Sequence, residues 1–310
     1  MIETNDAVLS ARRFHRSTRS RAAERAGWLL SAPAILLVAI FVIVPLVFAI
    51  YISLTNWPLI GSYHFIGLRN YSFLFHDITY GQTVLFTLKY TAIVTLPILL
   101  VGYGLALLVR SRRPGAIIFR TIFFLPYVVG LATESYMLTL ELQPNAGAVN
   151  FLLSRLHIVK ASTAWLIHAN LALTAISVLV VWFASGLTMV LLMSGMQGVS
   201  RELYESAEMD GASWWGKEVH ITLPLLHGTI ALSLIISVIG SFLAFTQFYI
   251  LTQGGPGTST DTVVMWIYQV GFVQLHLGEA TAMSIVLMIV VLAISIGQFT
   301  LLRAGQEVSE

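Results

Sequence analysis

Six stretches of the chain stay apolar for more than 20 residues: Trp28–Tyr51, Val84–Val109, Ile117–Leu140, His168–Met196, Leu225–Leu251 and Ala280–Leu302. A helix needs about 20 such residues to cross the hydrocarbon of a bilayer. In lipid there is no water to satisfy backbone N–H and C=O groups, so spanning segments of this kind must be helices. The sequence therefore predicts an all-α membrane protein with six transmembrane helices. Hydrophobic residues make up 57% of the 310-residue chain and charged residues 10%, against roughly 25% charged in soluble domains. Too few polar side chains remain to cover a water-facing surface. A seventh apolar run, Val263–Leu275, is too short to span and is expected at the outer interface, where Trp266 and Tyr268 suit the headgroup region.

Lys and Arg orient the spans, because positive charge is retained on the cytoplasmic side. With the N-terminus inside, the inner segments hold Arg12, Arg13, Arg16, Arg19, Arg21, Arg25, Arg110, Arg112, Arg113, Arg120, Arg201, Lys217 and Arg303. The outer loops hold only Arg69, Arg155 and Lys160. Thirteen against three predicts both termini in the cytoplasm. The expected organisation is a basic N-terminal segment (1–27), a six-helix membrane domain (28–302) with a polar cytoplasmic loop (200–224), and a cytoplasmic tail (303–310). The first apolar run has no convincing small-residue cleavage site and reads as a span, not a signal peptide.

The chain has no cysteine, which excludes disulfides and thiolate chemistry, and no H-x-x-x-H pair, so no metal is expected. No span carries paired carboxylates or a Ser–His arrangement suited to catalysis, so no catalytic residue is expected. Gly211-x-x-x-x-Gly216-Lys217 imitates a phosphate-binding loop, but Glu218 stands where Ser or Thr would hold Mg²⁺ and no strand precedes it. Nothing points to nucleic acid.

The loop 200–224 is the longest polar inner stretch and reads as helix–turn–helix. Ser200 is placed to cap a first helix with Glu202 and Glu205 in its early turns. Leu203, Ala207 and Met209 offer it an apolar side, Gly211 a left-handed ending, Ser213 a second cap, and Pro224 a break before the fifth span. Five acids (Glu202, Glu205, Glu208, Asp210, Glu218) against two bases reverse the usual sign of an inner loop. Such a helix suits a basic-rimmed groove on a soluble partner; equally, it is an ordinary solvated loop helix.

Glu205-Ser206-Ala207, Gly211 after three residues, and Ile221-Thr-Leu223-Pro224 after nine more resemble the E-A-A–x3–G–x9–I-x-L-P signature of binding-protein-dependent ABC importer permeases. Ser206 for the middle Ala is the one departure. Trp28 with Pro33, Pro45 with Ser53-Leu54, Phe65-Ile-Gly-Leu-Arg-Asn-Tyr71 and Gly254-Gly-Pro256 resemble the carbohydrate-type, maltose-permease-like members. The resemblance implies a type I importer core that is not itself an enzyme. It implies a second permease subunit in a heterodimer, two ATPase subunits that bind ATP and Mg²⁺, and an extracytoplasmic solute-binding protein, in a bacterial inner membrane. The expected cargo is a sugar or sugar-like solute, with glycerol-phosphate compounds as the alternative. The other classes weighed are a secondary transporter, which would show larger size or repeat symmetry, and a membrane-embedded enzyme.

Two groups of polar residues inside the spans are candidate sites. Ser233, Ser237 and Ser241 form an i, i+4 stripe on span five, with Trp182 and Ser185 on span four. Such a stripe either packs helices together or offers hydroxyls and an indole face to a solute; Ser237, Ser241, Trp182 and Ser185 are the substrate-path candidates. Spans four and five hold no Lys or Arg, which favours a neutral solute. Lys89 and Glu134 lie at similar depths in spans two and three and are expected either to pair or to snorkel separately.

Overall fold

The computed structural model describes residues 23–58, 61–110 and 115–307, with side chains through Thr300. Arg12, Arg13, Arg16, Arg19, Arg21, Arg112 and Arg113 lie outside the described residues, as does the Arg303 side chain. Among the described residues the chain is helical from end to end: α1 (Ala23–Ser53), α2 (Arg69–Leu74), α3 (Ile78–Val109), α4 (Ala116–Val129), α5 (Leu131–Glu141), α6 (Ala148–Arg155), α7 (Ala169–Gln197), α8 (Arg201–Met209), α9 (214–225), α10 (His227–Phe242), α11 (Thr246–Leu251), α12 (Val263–Val273) and α13 (Leu277–Glu307). Five of the six expected spans are present as helices long and apolar enough to cross a bilayer: α1, α3, α7, α10 with α11, and α13.

The third span differs from its expectation. The run Ile117–Leu140 is not one straight helix; it is α4 and α5, meeting at 92°. The break follows from two residues. Pro126 has no N–H to continue the ladder, and Gly130 adopts φ 91°, ψ 139°, with its N–H closing on the Pro126 carbonyl at 3.2 Å. Hydropathy alone does not register such a break, because the run stays apolar across it. The start of α3 also differs: it begins six residues before the apolar run, where Asp77 Oδ1 accepts the Thr79 N–H at 2.8 Å and caps the helix.

α3 is the central element. Its buried residues join three apolar clusters in turn. Tyr80 packs with Leu74, Phe242, Val263 and Met283; Tyr90, Val94 and Ile98 pack with Ile176, Leu179 and Phe248; Ala106 and Val109 pack with Met189, Leu192 and Leu226. The short apolar helix α12 belongs to the first cluster through Val263 and Val270, so one side of it packs against the bundle. Its entry is fastened: Thr262 Oγ1 accepts the Met265 N–H at 3.2 Å and donates to the Ala244 carbonyl at 2.6 Å, while Thr87 Oγ1 on α3 accepts the Val263 N–H at 3.0 Å. By contrast, the most apolar stretch of α1 is not buried anywhere against the rest of the chain; its surface is lipid-facing or partner-facing by composition.

Close approach of α4 and α7 depends on Gly186. A Cβ there would come within 2.5 Å of the Phe123 carbonyl oxygen, a backbone atom that cannot swing aside. Gly240 on α10 has open space at the same position. Gly186→Ala should therefore cost about 1–3 kcal/mol of stability by overpacking, seen as a lower Tm in detergent, while Gly240→Ala leaves Tm unchanged.

The turn before α12 buries Asp261, whose Oδ1 accepts from Gln269 Nε2 at 3.0 Å and whose Oδ2 has no partner. Burial pushes this carboxyl up to about 6, with the Gln269 bond opposing in part. A raised acid pKa in the folded state means that no penalty exists below the unfolded value near 3.8. Stability is then lost as pH rises toward 6, and the loss persists above it. Asp261→Asn should flatten the fall in Tm between pH 4 and pH 7, so an unchanged slope in that variant would assign the fall to another group.

Candidate functional site

The loop between α7 and α10 folds as the sequence predicts. Ser200 Oγ accepts the Glu202 N–H at 3.3 Å and starts α8; Ser213 Oγ accepts the Gly216 N–H at 3.1 Å and starts α9. Gly211, at φ 79°, ends α8, and the Ala212 N–H returns to the Ala207 carbonyl at 2.9 Å. This is the six-to-one bond of a Schellman ending, and it requires a left-handed residue. The two helices are tied by Tyr204 Oη and Thr222 Oγ1 at 3.0 Å and by Lys217 Nζ to Glu208 Oε1 at 2.5 Å. The Lys217 ammonium lowers the Glu208 pKa. Glu205, Ser206, Gly211, Leu223 and Pro224 are exposed, and Ala207 and Ile221 are half-buried.

The acidity of this loop is much reduced by pairing within the chain. Glu205 accepts from Arg201 Nε at 2.7 Å, one turn away on α8. Glu208 is taken by Lys217. Glu218 does not face solvent at all: it is buried, forms an ion pair with Arg110 at the end of α3, and accepts from Tyr103 Oη at 2.9 Å. Glu202 and Asp210 are the two of the five acids without an ion pair among the described residues, and beside them Leu203, Met209, Trp215 and Val219 are exposed. The outward face is thus an apolar patch with an acidic rim, with Leu203 and Met209 on the apolar side expected of an amphipathic helix.

Glu218, Arg110 and Tyr103 were not legible as a group in the sequence, since more than 100 residues separate the acid from its partners. The signal that existed was sign alone: bases end the second span and acids fill the loop on the same side. The end of α3 is held from a second direction as well, because Arg120 on α4 donates through Nε and Nη2 to the Val109 carbonyl at 3.1 and 2.7 Å. The loop, α3 and α4 therefore meet at one polar joint.

The candidate solute path separates into two groups. Ser237 and Ser241 are buried, and Ser241 Oγ donates to the Ser237 carbonyl at 2.8 Å. Ser185 is buried and bonds back to the Val181 carbonyl. The Ser185 and Ser241 hydroxyls are spent within their own helices, in the manner of packing serines. Thr83, Thr87, Thr91 and Thr95 form a matching buried stripe on α3, which packs on α10. Trp182 is different: it is half-exposed and lines a cavity of about 700 Å³ bounded by α4, α5, α6 and α7. Glu134 lines the same cavity. It is buried, while Lys89 is exposed, and no ion pair joins them among the described residues, so the expected pair is not formed and Glu134 does not snorkel either.

The structure is a helical bundle with one bent helix pair and a braced helix–turn–helix loop. The family profile described as binding-protein-dependent transport system inner membrane component matches residues 89–304, and the chain belongs to that family of non-catalytic ABC importer permeases. It is 32% identical to the sulfoquinovosyl glycerol transport system permease protein SmoG of Agrobacterium fabrum over 84% of each chain. It is 30% identical to the arabinooligosaccharides transport system permease protein AraP of Bacillus subtilis, over 87% of this chain and 86% of that one. The fold matches a chain in the crystal structure of a bacterial ABC transporter that imports the acidic polysaccharide alginate, with a TM-score of 0.77 at 24% identity, covering 92% of this chain and 99% of that one.

Removing one partner of a buried ion pair strands the other. Glu218→Ala should lower stability by about 3 kcal/mol, measured by thermal unfolding in detergent. Restoring the carboxylate as Glu218→Asp should recover part of that loss.

Proposed function

We propose that this chain is the pore-forming permease subunit for a sugar or sugar-like solute, moved inward by alternating access. Its N- and C-termini and the loop 200–224 lie in the cytoplasm, in keeping with the distribution of Lys and Arg. Among the relatives named above is a permease for arabinooligosaccharides, which supports the carbohydrate class. The chain works with a second permease subunit, two ATPase subunits that hold the ATP and Mg²⁺, and an extracytoplasmic solute-binding protein.

The observation that carries this reading is the folded loop. Glu205, Ser206, Ala207 and Gly211 lie on α8 and its ending, Ile221, Leu223 and Pro224 on α9, and the two helices are locked to each other and to α3. A loop of that stiffness transmits force where a slack one would absorb it. Leu203, Met209 and Trp215 provide an apolar docking patch for the ATPase, and Glu205 offers its carboxylate to a Lys or Arg of that partner. Movement of the ATPase then passes to α7 and α10 through the chain, and to α3 through Glu218 and Arg110. The bend at Gly130 lets α4 and α5 respond as separate rods.

Glu205→Lys places a cation where the partner's cation should arrive. It should abolish ATP-driven uptake in the reconstituted importer while leaving the amount of chain in the membrane unchanged. Uptake at the unmutated rate would remove the loop from the coupling path.

A further inference from the structure

The cavity between α4, α5, α6 and α7 has an unusual polar inventory. Most of its wall is aliphatic or aromatic, from residues such as Leu125, Val129, Met137 and Val178, with Trp165 and Trp182 presenting indoles. Its only titratable groups are Glu134 and Glu141, seven residues apart and so on one face of α5. No Lys, Arg or His lines it. Thr174, the remaining side-chain hydroxyl, is already spent on the Asn170 carbonyl at 2.8 Å.

Glu134 carries the inference. It is 5% exposed, its Oε2 has no hydrogen-bond partner, and it belongs to no ion pair. A carboxyl in that state inside a membrane helix is costly. It is tolerated where water or a passing solute completes its bonding, and the cavity is the space that admits one. The wall around it is built in advance: Trp165 Nε1 donates to Asn150 Oδ1 at 2.6 Å, and Asn150 Nδ2 in turn donates to the Leu142, Gln143 and Thr163 carbonyls at 3.2, 3.1 and 3.0 Å. The indole is therefore fixed before any solute arrives.

Resting on the reading of this chain as a solute path, we propose that Glu134 makes the cavity a passage for uncharged, hydroxyl-bearing solutes and closes it to anions. Carboxyl oxygens accept hydroxyl hydrogen bonds, the indole faces take the apolar face of a ring, and the volume falls within the range of small-molecule sites. An anionic solute meets two acids and no base from this subunit. Glu134 is thus a specificity-determining residue acting through charge, and Trp182 is its stacking wall.

The chain has no cysteine, so one introduced thiol reports on the cavity without background in this subunit. The test uses Trp182→Cys in the complete importer in membrane vesicles at pH 8.5, treated with methanethiosulfonates of similar size bearing either a trimethylammonium or a sulfonate group. Modification is read from the mass of this chain, with and without ATP. With each rate divided by the same reagent's rate toward free 2-mercaptoethanol, the cationic reagent should lead the anionic one about tenfold, and adding Glu134→Gln should bring the two normalised rates near parity. Equal rates without that second change would overturn the proposal, as would a preference that Glu134→Gln leaves intact. Val178→Cys, on the same wall, serves as reporter if Trp182→Cys does not assemble. If neither thiol reacts in any nucleotide state while ATP-driven uptake continues, the solute passes elsewhere and the inference fails with the transport reading intact. Loss of ATP-driven uptake from the unmutated complex would be a failure of the transport reading itself.

Discussion

One helix holds this bundle together. In lipid the hydrophobic effect does not drive helix against helix, so association rests on close packing and a few polar contacts. α3 concentrates both. Tyr80, Val94, Ile98 and Ala106 reach three separate apolar clusters along its length. Its hydroxyl side chains add the polar contacts: Thr87 accepts from the start of α12, and Tyr90 Oη accepts from the buried Gln247 Nε2 at 3.1 Å. α7, α10, α12 and α13 are arranged around that axis, and a change in the angle of α3 is felt by all of them.

The polar joint at the far end of α3 explains why the loop and the bundle act as one mechanical unit. An acid–base pair within the low-dielectric margin of the membrane is attractive at short range and intolerant of separation. Arg110 and Glu218 are such a pair, with the Tyr103 hydroxyl as a third member. Arg120 fixes the carbonyl of Val109 beside them. The loop is consequently attached to the bundle at three points: its two covalent ends and this joint. Motion imposed on it has no slack in which to be lost.

Polar side chains within the spans divide by how their hydrogen bonds are satisfied. Ser185, Ser241 and Thr188 bond back to carbonyls of their own helices and present smooth, small surfaces for packing. Glu134 has no such local option, because an ionised carboxylate has no hydrogen to donate to a carbonyl of its own helix, and its Oε2 is without a partner. The distinction between a packing serine and an unpartnered acid is one of geometry, which is why spacing alone left the serine stripe open to two readings.

Local pattern determined a great deal here. Run length specified helices and placed five of the six expected spans, because a bilayer has a fixed thickness and no backbone partners. Ser200, Gly211 and Ser213 specified the loop's two helices, because caps and left-handed endings are local chemistry. The bend at Gly130, the packing of α12 against α3, the inward turn of Glu218 and the isolation of Glu134 from Lys89 were decided only by tertiary structure. Each depends on which surfaces meet across dozens of residues, and contacts at that separation leave no periodic trace in the chain that makes them.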